Sequence, residues 1–65
     1  QYLSLTGLPA GASVKVIDVN GVVVYSSQVM STEMHIDLKN QPTGVYLVQV
    51  WLQDQEMAQF KVVKE

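Results

Sequence analysis

The run Val14-Lys15-Val16-Ile17-Asp18-Val19-Asn20-Gly21-Val22-Val23-Val24-Tyr25 sets an Asn-Gly pair between two β-branched segments. Asn-Gly between apolar runs is the strongest short-range signal of a β-hairpin, because both residues accept the positive φ that a tight turn needs. Two geometries fit. A two-residue type I′ turn sets Ile17 opposite Val24. A three-residue loop, with Gly21 left-handed in a bulge, sets Val16 opposite Val24. The second is preferred, since it gathers Val14, Val16 and Val24 on one face and leaves Lys15 on the other. Asp18 reads as an Asx residue that bonds the turn backbone.

Working outward, turn signals recur at short intervals. They are Gly7-Leu8-Pro9 with Gly11, Ser31-Thr32-Glu33, Asn40-Gln41-Pro42-Thr43-Gly44 and Gln53-Asp54-Gln55. Between them lie segments rich in Val, Ile, Leu, Tyr and Trp, and no segment keeps an apolar period of 3.6. The expected strands are Tyr2–Leu5, Ser13–Val19, Val22–Val29, Met34–Leu38, Val45–Leu52 and Glu56–Val63, with no helix. The expected fold is all-β: one small immunoglobulin-like antiparallel β-sandwich of six to seven short strands, spanning residues 1–65. Met34, Ile36 and Leu38 should face the core, with His35 and Asp37 in water. In Val45–Leu52 both faces are apolar, which marks a central strand or one under a partner. Ala58, Phe60 and Val62 share a face of the last strand.

Composition narrows the function classes. The chain has 65 residues, one histidine and no cysteine. A domain this small buries only about 60% of its unfolded surface. No disulfide staples it, and one histidine cannot build a structural zinc site. The net charge is −2, with four lysines and no arginine. Nucleic-acid binding needs clustered basic residues, so no nucleic-acid partner is expected. No apolar run approaches the ~20 residues of a membrane-spanning helix. The opening residues Gln1-Tyr2-Leu3 carry no signal-peptide pattern. The chain is expected to be a fragment of a longer protein, from its C-terminal end.

No cofactor, metal or catalytic site is expected. Ser26, Ser27, His35 and Asp37 hold the elements of a hydrolase triad, but His35 and Asp37 stand at i and i+2 on one strand, roughly 7 Å apart by the strand rise. That is too far for a His–Asp hydrogen bond. Asp18, Asp37 and Asp54 lack the spacing of a calcium loop. Trp51, Leu47 and Val45 form an alternating stripe, read as core under a second sheet or as an exposed carbohydrate or protein platform.

Three stretches carry a resemblance. The first runs from Leu5-Thr6-Gly7-Leu8-Pro9 through Val14-Lys15-Val16-Ile17-Asp18 to Asn20-Gly21. The second is Ile36-Asp37-Leu38 followed by Gly44-Val45-Tyr46-Leu47-Val48-Gln49-Val50. The third is Phe60-Lys61-Val62-Val63-Lys64-Glu65. In order and spacing they resemble the C-terminal sorting domain of the type IX secretion system. That resemblance implies a non-catalytic address label, which directs an exported cargo through the periplasm to the cell surface or medium. It implies an outer-membrane translocon, a sortase and an upstream cargo domain as partners. The family's usual opening strand, with a Tyr-Pro-Asn-Pro-like motif, is not in this sequence; either the sequence starts after it or this member lacks it.

The residues expected to meet the translocon are Gly44, Val45, Tyr46, Lys61, Val62, Val63 and Lys64, through a strand edge and terminal lysines. Asn20 and Gly21 are expected to be structural. An exposed edge also makes a strand-paired homodimer an expectation. The alternative reading is an immunoglobulin-like protein- or carbohydrate-binding accessory module of a secreted enzyme.

Overall fold

A computed structural model describes residues 2–65. The order is β1 (Tyr2–Leu5), β2 (Ser13–Ile17), β3 (Val23–Gln28), β4 (Met34–Asp37), β5 (Gly44–Leu52) and β6 (Gln55–Lys64). All pairings are antiparallel. One sheet runs β3-β2-β5-β6 and a second is the ribbon β1-β4. The hairpins β2–β3 and β5–β6 therefore lie side by side, with β2 and β5 in the middle. β5 is central, as its two apolar faces require. Over the described residues the chain is an all-β sandwich of six strands.

The core lies between the ribbon and the middle of the larger sheet. Leu5 and Ile36 come from the ribbon; Val14, Val16, Tyr46, Val48 and Val50 come from β2 and β5; Leu8, Ala12, Val29 and Leu38 come from the links. The alternation of β4 places Ile36 at 0% exposure and leaves His35 and Asp37 in solvent. Among the described residues no buried one is charged or of polar type, the phenol of Tyr46 aside. The link before β2 is packed: Leu8 N–H donates to the Thr32 carbonyl at 3.1 Å, and Val29 N–H to the Ala12 carbonyl at 2.8 Å.

The Asn20-Gly21 turn is the three-residue loop, with Asp18 N–H donating to the Val22 carbonyl at 2.9 Å and Gly21 at φ 81°. Asp18 Oδ1 accepts the N–H groups of Asn20 (2.9 Å) and Val22 (3.0 Å), so it is an Asx residue as read. This ends β2 at Ile17, two residues earlier than expected. The expected pairing of Val16 with Val24 is corrected. Ile17 opposes Val23, but a second bulge at Val24 sets Val16 opposite Tyr25. The bulge turns the Tyr25 ring toward the core face occupied by Val14 and Val16, where it packs against the cluster. Beyond it, the hairpin runs in the register that a two-residue turn would have given.

Burial without a staple makes single core positions decisive. Ile36→Ala should cost about 2–5 kcal/mol, close to the whole stability of a domain of this size at ~0.05–0.15 kcal/mol per residue. Urea unfolding should show the loss of a cooperative transition at 25 °C for Ile36→Ala. Met57→Ala, at 56% exposure, should leave the midpoint within about 0.5 kcal/mol of the parent.

Candidate functional site

Register gathers residues that the sequence holds apart. Gly44 opposes Lys64, Val45 opposes Val63, Tyr46 opposes Val62 and Leu47 opposes Lys61. The start of β5 and the end of β6 thus form one corner of the larger sheet, and all seven residues singled out for recognition lie in it. Ile17 pairs with Leu47, so the hairpin turn at Asn20-Gly21 lies at the same end. Asp18, Val19 and Asn20 line a depression of about 200 Å³ with Pro42, Gly44 and Val45. A shallow apolar depression of about 390 Å³ lies among Ile17, Val19, Gly21, Val45 and Leu47.

The corner divides into an inward and an outward half. Tyr46 points inward and is buried, and its hydroxyl donates to the carbonyl of Pro42 four residues back. This is the arrangement of a tyrosine corner, which pins the entry into a sandwich strand to that strand's own side chain. Gly44 opens the strand at φ 148°, a backbone conformation that L side chains rarely adopt. Gly44 and Tyr46 are thereby accounted for by the chain path alone.

Lys64 is tied down as well. Its Nζ donates to the carbonyls of Leu38 (2.7 Å), Lys39 (3.2 Å) and Gln41 (2.5 Å). An ammonium has three donors, and here each meets a backbone acceptor of the turn after β4. That turn is closed by Gln41 N–H to the Leu38 carbonyl at 3.0 Å, and Asp37 Oδ1 accepts Lys39 N–H at 2.9 Å. Lys64 therefore bolts the last strand of one sheet to the exit of the other. Sequence reasoning took Lys64 for a terminal basic residue and missed the bolt. Its partners lie 23 to 26 positions away, and no local pattern announces them. The Tyr46–Pro42 bond, at a spacing of four, was findable.

The outward half is what a partner would meet. Val45 is 38% and Val63 53% exposed, Lys61 is exposed, and Val19 and Val22 reach 75% and 55% on the adjoining turn. Val62, on the inward face, is half-buried against the core. Contiguous exposed aliphatic surface with a basic rim is the usual form of a protein-interaction patch.

The triad elements are dispersed. Ser26 and Ser27 lie on β3 in the larger sheet and His35 on β4 in the ribbon. The Ser27 hydroxyl donates to the Gln28 carbonyl at 3.1 Å, and the Asp37 carboxylate holds its own turn. His35 Nδ1 lies 3.1 Å from Ser4 Oγ, its neighbour across the ribbon, with both exposed. Among the described residues no three His, Cys, Asp or Glu lie together as a metal site.

Compared with known proteins, residues 2–65 match a family model described as a secretion system C-terminal sorting domain. No curated protein and no solved structure matches the chain.

The bolt and its neighbour give opposite expectations. Lys64→Met leaves three carbonyls without their charged donor and should lower stability by about 1–3 kcal/mol. Lys61→Met should change it by less than about 0.5 kcal/mol. Paired denaturant melts of the two variants check this, and equal midpoints would remove the structural role given to Lys64.

Proposed function

Because the chain belongs to the family of secretion system C-terminal sorting domains, the sorting signals of type IX secretion, we propose that it works as a folded, non-catalytic label. It directs an attached exported cargo from the periplasm through the type IX translocon to the cell surface or medium. The observation that carries this is the family match, which covers essentially the whole chain. The dispersal of Ser26, Ser27, His35 and Asp37 supports a label without chemistry of its own.

The corner is the proposed reading surface. A label has to be legible while the cargo varies, so its signal should be rigid and should protrude. Tyr46, Gly44 and Lys64 supply the rigidity, since each fixes backbone at the corner. Val45, Val63 and Lys61, with Val19 and Val22 on the turn, supply the protruding surface. The outer edge of β6 is unpaired in this fold, and its main-chain groups offer the translocon a template for strand addition. The same edge could admit a second copy of the chain. A sortase that separates label from cargo would act upstream of β1.

The roles divide cleanly in an export assay. A signal-peptide-bearing periplasmic reporter is fused ahead of this chain in a bacterium with a type IX system. Reporter at the surface and in the medium is measured by fractionation. Deleting Lys61–Glu65 should abolish export, but it also removes the last four of the ten residues of β6. The sharper variant is Val45→Asp with Val63→Asp, which leaves the inward half intact. It should keep the β-sheet circular dichroism and lower export at least about tenfold, the loss expected when charges enter an apolar interface. Undiminished export by the folded double variant would overturn the corner as the reading surface. No export by the parent fusion would overturn the label.

A further inference from the structure

The outer face of the larger sheet changes character along its length. At the corner it is aliphatic. At the far end, where Ser13 opposes Trp51, it is polar around one aromatic ring. Ser13, Lys15, Gln28, Trp51, Gln53 and Asp54 line a depression of about 320 Å³ there. That volume lies in the range of small-ligand sites.

The ring is held in place. Trp51 is half-buried, and its indole Nε1–H donates to Gln49 Oε1 at 3.1 Å. Gln49 Nε2 in turn donates to Gln59 Oε1 on β6 at 3.3 Å. The Lys15 ammonium stands over the ring, 5.5 Å from its centroid. Three strands thus orient one indole beside an open depression.

The turn at the rim supplies an independent observation. Gln53 and Asp54 connect β5 to β6 with φ of 53° and 64°. A two-residue turn with both φ positive favours Asn-Gly or Asp-Gly. Gln at positive φ is disfavoured, and residues held that way gather at ligand clamps. Here the disfavoured pair puts an amide and a carboxylate at the rim, where Asn-Gly would shorten one side chain and delete the other.

We propose that this depression is a binding site for a short saccharide. With Lys15 over one face of the indole, its other face offers an apolar wall for the C–H face of a pyranose. Gln28, Gln53 and Ser13 offer both donors and acceptors, Asp54 accepts, and Lys15 donates, which is the mixed set that a polyol satisfies. Lys15 and Asp54 put opposite charges on one lining, which disfavours a simple anion, and the polar lining disfavours a purely apolar ligand. The site faces away from the core, at the opposite end from the corner, and is independent of the sorting role.

The test is an amide and indole NMR titration of the intact chain with four trisaccharides: maltotriose, mannotriose, chitotriose and trigalacturonate. Inorganic phosphate serves as the anion control. At least one trisaccharide should give saturable shifts at the Trp51 indole and the Gln53 and Asp54 amides. The paired change Gln53→Asn with Asp54→Gly should raise thermal stability, since it suits the turn, while weakening saccharide binding at least about tenfold through the lost polar rim. Trp51→Ala should weaken it by a similar factor. The proposal is overturned if no trisaccharide produces saturable shifts, if phosphate reproduces them, or if the stabilised turn variant binds as tightly as the parent.

Discussion

The ribbon β1–β4 can bury only the width of sheet that two strands cover, while the sheet beneath it has four. At about 4.8 Å per strand, the ribbon shields β2 and β5 and leaves the flanks open. From the sheet's strands the buried cluster draws on β2 and β5; on the flanks Val24 and Tyr25 of β3 pack against it only partly buried, and from β6 only Val62 does. Ala58 and Phe60 share the inward face of β6 yet remain exposed, Phe60 at 38%. A chain without disulfides cannot shift this balance covalently, so the flanking strand needs another hold.

That hold is polar and lies at one end. Lys64 ties the end of β6 to the turn after β4, and Tyr46 ties the start of β5 to Pro42. The two bonds act on paired strands two register positions apart, with Val45 opposite Val63 between them, so they secure one corner rather than the whole flank. Hydrogen bonds to a charged donor contribute more than neutral ones, and removing the donor costs more than the bond contributes. The corner is therefore the place where β6 is least free to fray, although it is the end of the strand farthest from its hairpin turn. The reading surface proposed on β6 calls for such an anchor, because an edge strand has a neighbour on one side only.

Local physics made much of this legible, and non-local physics did not. The alternation in Met34-His35-Ile36-Asp37-Leu38 fixes which side faces the core, and the structure agrees at every position. Asp18 and Gly21 specify their loop through bonds no longer than four residues. The register beyond that loop is a different matter. Val24 is squeezed into a bulge so that Tyr25, rather than Val24, meets Val16, and only the shape of the assembled core decides between them. Likewise, the seven residues proposed for recognition come from two separate stretches, and nothing local required them to be neighbours; the pairing of β5 with β6 makes them so. The bolt formed by Lys64 and the positive φ of Gln53 and Asp54 had no sequence signature, because each is settled by what lies across the fold.

The two ends of the outer face carry different constraints, and this separates what is structural from what is free to act. At the corner, the inward residues are accounted for by chain path and anchoring, so the recognition proposed here falls to the exposed Val45, Val63, Lys61 and the turn valines. At the far end the reasoning runs the other way. A tight turn could have been made at lower conformational cost by Asn-Gly, and the sheet could have ended on any β-former in place of a tryptophan fixed by two glutamines. Side chains that a fold does not need, held at a cost to the backbone that carries them, are where function is to be sought. By that criterion the two proposals point to opposite ends of the outer face, set apart along β5 by the run from Leu47 to Trp51.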